Sequence, residues 1–257
     1  MQAKTLTLFL FFIINISNVF AFDHSHEKFN LLLQAHVKFK NKQSFINYLK
    51  IKENPANLES YLKSLSSVSK KEFNKFSKDQ QLAFLINAYN AFTIKIILNH
   101  YPLKSIKDIG SLFTNTWKIK FFTLLEEKSH LDNIEHNLIR KQFNEPRIHF
   151  AVNCASIGCP SLQKKAFTAN NLNNLLESAT KNFLSNTTKN KFKKEQKEIK
   201  LSKIFKWYGG DFKKKFGSVE KFVAKYLTSN SNDQQNIKNE KFSMTWTEYD
   251  WKLNEIQ

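Results

Sequence analysis

The chain predicts a helix-rich α+β single domain with a small, antiparallel sheet. Three observations carry this. Apolar residues recur at helical spacing in several long stretches. One of them, DQQLAFLINAYNAFTIKIILNH, is apolar nearly all round, the pattern of a core helix. The alternating stretches, by contrast, are few and short, and two of them read as a polar hairpin.

Taken in order, Asp23–Lys40 shows helical periodicity through Phe29, Leu32, Leu33, His36 and Val37. A second helix begins at Asn57, with Leu58, Tyr61, Leu62 and Leu65 on one side. Ser77 and Gln80 form a capping box ahead of the core helix, expected over Asp79–Asn99 and ending before Pro102. Asn87 and Asn90 share a face of it, so they clamp neighbouring backbone or line a site. Trp117–Leu125 alternates weakly and reads as a strand or a hairpin, Leu131–Phe143 as a helix and Arg147–Asn153 as a short strand after Pro146. Thr168 caps a helix over Ala169–Leu184, and Lys191–Lys194 with Glu198–Leu201 gives the hairpin. Ser202 opens SKIFKWYGGDF, and Gly217-Ser218 precedes a helix to Leu227. Thr228–Glu240 reads as a polar linker before a last strand at Lys241–Thr247. The expected organisation is a targeting segment over 1–21, an N-terminal helical segment over 22–76 and a core domain over 77–257.

The targeting segment has the three parts of a signal peptide. Lys4 supplies the charge, Leu6–Ile16 the apolar run, and Val19-Phe20-Ala21 the small residues of a cleavage site. Cleavage near Ala21 implies a periplasmic or secreted protein with no lipid-anchoring cysteine there, and no later segment reads as a membrane span. The formal charge of the whole chain is +18. Thirteen lysines against four acids lie between Lys189 and Lys225, a field suited to an anionic envelope surface. Nucleic acid is disfavoured, because the excess is nearly all lysine, and true nucleic-acid sites add arginine and exposed aromatics.

Both cysteines, both arginines and three of the seven histidines fall between His130 and Cys159. Arg140 and Arg147 stand out in a chain that otherwise uses lysine, because a guanidinium fork binds carboxylates bidentately and an ammonium does not. On a helical wheel, Leu131, Ile134, Leu138 and Ile139 define a buried arc, and Glu135 falls inside it. Asp132, His136 and Arg140 stack along its edge. A salt bridge from Glu135 to Arg147 is the structural reading of that acid. In the expected strand, Arg147, His149, Ala151 and Asn153 share one face, so Cys154 meets His149 only if the chain turns at Asn153–Cys154. His136 is the alternative base.

These are the ingredients of a thiol site: Cys154 as nucleophile, His149 or His136 as base, and Glu135, Asn87 or Asn153 as orienter. Arg140, Arg147, Asn87, Asn90 and Asn153 are the candidate substrate-binding residues. Cys154 and Cys159 are also open to a structural disulfide or, although the spacing is not C-x-x-C, to a redox pair. Cysteines five residues apart with both histidines upstream fit no common zinc spacing, so neither a metal nor a cofactor is expected.

At these residues the chain resembles the family known as domain of unknown function 547. The matching blocks are FLINAYNAFT (Phe84–Thr93), LDNIEHNLIR (Leu131–Arg140), PRIHFAVNCASIGCPSL (Pro146–Leu162), LSKIFKWYGGDF (Leu201–Phe212) and YDWKLN (Tyr249–Asn254). The family often has Trp where this chain has Leu85, a packing change. The resemblance implies one exported α+β domain carrying the paired cysteines, and it supplies no activity. Three functions follow as expectations. The first is a cysteine-dependent hydrolase or acyl transferase acting on a small-molecule or peptide-like substrate, papain-like by fold analogy alone. The second is a non-catalytic envelope binding or scaffolding domain with a Cys154–Cys159 disulfide. The third is a thiol–disulfide redox protein.

Overall fold

The computed structural model describes residues 21–111 and 114–256. The expected signal segment therefore lies outside the described residues, except for Ala21 at its end. Helix α1 (Glu27–His36) leads directly into a hairpin of β1 (Val37–Lys40) and β2 (Gln43–Ile46). The sequence had suggested helix through Lys40. Instead Asn41 and Lys42 both adopt left-handed φ (49° and 63°), the two-residue turn that reverses a twisted ribbon, and Val37 pairs with Ile46. Helices α2 (Tyr48–Glu53), α3 (Ala56–Ser67) and α4 (Lys70–Phe73) follow.

The centre of the molecule is α5 (Lys78–His100). Its capping box is present as expected: Ser77 Oγ accepts from Gln80 N, and Gln80 Oε1 accepts from Ser77 N. By length and composition alone α5 would span a membrane, contrary to the sequence reading, but 94% of its apolar window is buried within the protein. Around it gathers a core reaching from Phe29 and Tyr48 to Leu172 and Leu253, so the N-terminal segment shares that core.

Of the strand or hairpin expected at Trp117–Leu125 the hairpin forms, shifted along the chain as β3 (Phe122–Leu124) with β4 (Glu127–Ser129). The start of the expected stretch is a 3-10 turn at Thr116–Lys118, because Asn115 caps Trp117 N. Next come a π-helix at Asn133–Arg140 and a 3-10 turn at Pro146–Phe150. The second corrects the expected strand at Arg147–Asn153. Pro146 presets a helical φ, and the Glu145 carboxylate caps Arg147 N, so the chain coils where alternation suggested extension.

Helix α6 (Leu172–Leu184) leads to β5 (Lys191–Lys193) and β6 (Glu198–Ser202), then α7 (Lys203–Phe216), α8 (Val219–Leu227), α9 (Ser231–Lys238) and β7 (Ser243–Thr247). Residues 228–240, read as a linker, contain α9, which Asn230 caps and which buries Ile237. Strand β5 is antiparallel to β6 as expected, whereas β7 joins β6 in parallel, pairing Leu201 with Trp246. A second core, including Phe150, Phe183, Phe205, Phe212 and Phe222, joins the 3-10 turn to α6, α7 and α8.

Lys189, between α6 and β5, is buried and donates through Nζ to Gln43 Oε1 and the Cys159 carbonyl. Desolvation, partly offset by Asp250, lowers its pKa to about 7. From about pH 7 up to the ordinary lysine range the unfolded chain holds the extra proton, so stability rises with pH across that window. Urea melts between pH 7 and 9.5 will show this rise, and Lys189→Met will flatten it. An equal slope in the variant would remove Lys189 as its source.

Candidate ligand cleft

One carboxylate joins three elements. Arg140, at the end of the π-helix, donates from Nε to Asp211 Oδ2 at 2.6 Å and from Nη2 to Oδ1 at 2.9 Å. His149 Nε2, from the 3-10 turn, lies 2.8 Å from the same Oδ2. Asp211 itself sits in α7 just past a kink at Tyr208, the residue that leaves helical geometry ahead of Gly209 and Gly210. Burial alone would raise the Asp211 carboxyl, but hydrogen bonds from His149 and Arg140, with the charge of Arg140, hold it well below the usual range.

Hydrogen bonding fixes both imidazoles. A guanidinium can only donate, so His136 Nδ1, 2.6 Å from Arg140 Nη1, is an acceptor and the ring proton sits on Nε2. That nitrogen faces Asp132 Oδ1 at 3.5 Å. His149, whose side chain is 1% exposed, is kept neutral by desolvation, only partly opposed by Asp211. With its proton donated from Nε2 to Asp211, its Nδ1 lone pair is buried with no hydrogen-bond partner. The kinked Tyr208 stacks flat on this ring, centroids 3.9 Å apart, and its other neighbour is Arg140. Glu135, on the buried side of the π-helix, lies against the Tyr89 and Tyr208 hydroxyls; desolvation and then its charge push both phenols upward.

The opposite wall is the loop 154–159. Cys154 and Cys159 are bonded to each other, with Cα atoms 6.1 Å apart. Cys154 is half-buried and Cys159 buried. The sulfur neighbours are hydroxyls, not imidazoles: Tyr249 Oη lies 3.1 Å from Cys154 Sγ and 3.2 Å from Cys159 Sγ, with Ser156 Oγ 3.3 Å from each. The C-terminal segment holds this loop through Ile157 N to the Lys252 carbonyl (2.8 Å) and Gly158 N to the Asp250 carbonyl (2.7 Å). A Cβ at Gly158 would fall 2.7 Å from the Tyr249 ring, so only glycine lets that ring close over the disulfide.

Glu135, His136, His149 and Cys154 line one cleft of about 290 Å³. Trp117, Trp207 and Trp251, three of the chain's four tryptophans, line it as well. The other sequence candidates lie elsewhere. Arg140 stands behind the cleft, on Asp211 and His136. Arg147 pairs bidentately with Glu145 at 2.9 Å through both Nε and Nη2 and reaches Glu177, so the Glu135–Arg147 bridge is not formed. Asn87 clamps both backbone groups of Phe167, while Asn90 joins the Ala151 carbonyl to Asn153 N. Asn153 binds the Pro160 carbonyl and Ala155 N. Among the described residues no cluster of His, Cys, Asp and Glu is placed to hold a metal.

Sequence reasoning missed Asp211, Tyr208, Tyr249, Trp207 and Trp251 as site residues. The available signal was compositional, in the aromatic-rich blocks KWYGGD and YDW.

Fold and site together define a helix-rich α+β domain with an aromatic, carboxylate-bearing cleft braced by a disulfide. The family described as "Protein of unknown function, DUF547" matches residues 73–184, which hold α5, the π-helix, the disulfide loop and α6, and this match supports the resemblance read from the sequence. Neither curated proteins nor solved structures give a match.

Nitrogen-correlated NMR spectra at neutral pH are expected to show both His136 and His149 as Nε2–H tautomers; a proton on His149 Nδ1 would contradict the Asp211 geometry. Asp211→Asn removes a charge-assisted acceptor and will cost about 1.5–3 kcal/mol in urea melts. Because the folded pKa is lowered, that contribution is complete above the ordinary carboxylate range and is lost as pH falls below it. The gap between wild type and variant will therefore close with acid.

Proposed function

We propose that the chain is an exported ligand-binding domain of the cell envelope, taking a small organic or peptide-like molecule in the cleft while Cys154–Cys159 braces its wall. The observation that carries this reading is the meeting of three tryptophans, a buried carboxylate and a half-satisfied imidazole at one concavity beside sulfurs already bonded to each other. A disulfide sulfur is no thiolate nucleophile, so in this state acyl transfer by Cys154 is closed.

Export draws support from the N-terminal packing. The Phe22 ring meets His26 and Phe84 at centroid distances of 5.2 and 5.0 Å, and its backbone nitrogen donates to Glu72 Oε1 at 3.1 Å. Cleavage after Ala21 would turn that amide into an ammonium facing a carboxylate. The lysines between Lys189 and Lys225 suit attraction to an anionic envelope surface.

The thiol hydrolase or acyl transferase remains the second reading, favoured because Cys154, His136, His149 and Glu135 share the cleft. It requires a dithiol donor to deliver two electrons and two protons to the disulfide before Cys154 can attack a carbonyl.

Intact-mass analysis of protein purified without reductant is expected to give a chain starting at Phe22, two hydrogens light and resistant to alkylation. Glu72→Gln should lower the thermal midpoint by a few degrees, the scale of about 1 kcal/mol. Ester turnover that appears only after reduction and vanishes in Cys154→Ser, at unchanged thermal midpoint, would replace the binding reading by the enzymatic one. A reversible disulfide at the potential of known dithiol oxidants would favour a redox protein instead.

A further inference from the structure

The cleft departs from the chemistry of the chain that builds it. Lys and Arg make up 40 of the 257 residues, yet neither lines it among the described residues. Its acidic lining residues are Asp132 and Glu135. The nearest guanidinium, Arg140, is already committed to Asp211 and His136. Lys107 contributes from outside, its Nζ 4.2 Å from the Trp251 ring centroid, which shows that ring holding a cation.

Glu135 is the independent observation. It is 6% exposed, and among the described residues no cationic group lies within 4.0 Å of it. Its neighbours are the hydroxyls of Tyr89 and Tyr208, which are neutral donors. Arg140 and His149 feel its charge only from beyond ion-pair distance, and a carboxylate taken out of water without a direct ion pair is costly, a cost that an incoming positive charge would offset. Asp132 is less available, being shared with His136.

The aromatic wall has the matching form. Trp207, Tyr249 and Trp251 pack in mutual contact, with centroids 4.9 Å (Trp207–Tyr249), 4.6 Å (Tyr249–Trp251) and 6.0 Å (Trp207–Trp251) apart. Trp207 remains 46% exposed, although it is among the largest apolar side chains of the protein. Ring faces carry negative quadrupole charge, so several rings beside a carboxylate attract an organic cation more than an anion or a neutral body. The volume of about 290 Å³ suits a head group or a small molecule.

We propose that the cleft binds an organic ammonium group carried on a small aliphatic body, the positive charge lying beside Glu135 and the alkyl groups against Trp207, Tyr249 and Trp251. The proposal rests on the ligand-binding reading above and names the class of ligand. A quaternary ammonium and a primary amine share this chemistry. They differ in that only the primary amine can donate hydrogen bonds to Glu135.

The test is titration of the disulfide-intact protein, read by tryptophan fluorescence and calorimetry, with two cations and their uncharged analogues. Choline is compared with 3,3-dimethylbutan-1-ol, and 1,5-diaminopentane with 1,5-pentanediol. At least one cation is expected to saturate, about tenfold or more tighter than its neutral analogue, and to weaken as salt rises. Which cation wins identifies the source of the ammonium. Glu135→Gln, nearly isosteric, should remove about tenfold or more of that affinity; should the variant fail to fold, the comparison of charged and neutral probes on the wild type decides alone. Equal binding of neutral and charged probes, no saturation by either cation below about 10 mM, or unchanged affinity in folded Glu135→Gln would each overturn the proposal. Saturable quenching by a neutral sugar or an organic anion, with none by the cations, would overturn it while leaving the ligand-binding reading standing. Silence from every probe would remove both.

Discussion

The arrangement of the cleft depends on Asp211. Its two oxygens take three hydrogen bonds from residues 62 and 71 positions away in sequence, and these draw the π-helix, the 3-10 turn and α7 to one point. The consequences are chemical as well as structural. By accepting from His149 Nε2 the carboxylate leaves Nδ1 as the free lone pair, and by engaging Arg140 it turns that fork so that Nη1 meets His136. The same contacts hold the kink of α7 so that Tyr208 lies flat on His149. An uncharged residue at 211 would leave a guanidinium and a buried imidazole competing for acceptors, and the stacking that orients the cleft floor would lose its anchor.

The opposing wall is supplied by the end of the chain. Asn254, fully buried, accepts from Tyr48 Oη at 2.8 Å and donates to Asn153 Oδ1 at 3.2 Å, with Ile46 N on its carbonyl. One side chain thus ties together segments some 100 and 200 residues apart. Contacts of such separation carry the largest loop-closure cost. The cleft is therefore a product of the completed fold, in contrast to α5, whose capping box and apolar surface are local properties.

That contrast explains what could be read in the sequence. The core helix, its cap, the hairpin of β5 and β6 and the inward-facing Glu135 were legible, because hydrophobic period and capping residues are encoded within a few positions. The stretch 147–153 misled for a definite reason: Arg147 and His149 alternate with apolar residues, but each is held by a carboxylate, and Pro146 starts a coil. Helix α9 was invisible because the residues it buries are Asp233 and Ile237, too few apolar positions to set up a hydrophobic period. Asp211 had no local signal at all, since its meaning lies in partners far along the chain. Asn87 and Asn90 were rightly singled out as a pair needing partners, and the partners are backbone groups, so they position the walls of the site.

The two arginines show how far residue chemistry alone reaches. Each grips a carboxylate with two nitrogens, Arg140 on Asp211 and Arg147 on Glu145, which is the geometry an ammonium cannot reproduce. Residue type correctly identified places where a planar fork was needed. It did not distinguish the fork that orients two imidazoles behind a cleft from the fork that braces a turn outside it. The difference lies in what the carboxylate touches next. Asp211 passes its influence to His149, whereas Glu145 receives a further salt bridge from Lys215, which, like its own hydrogen bonds to Arg147, lowers its carboxyl against the pull of burial. A charged pair becomes part of a site when one of its members leaves a cleft-lining neighbour with an unmet hydrogen bond, and among the described residues the Asp211 pair does so at His149 Nδ1.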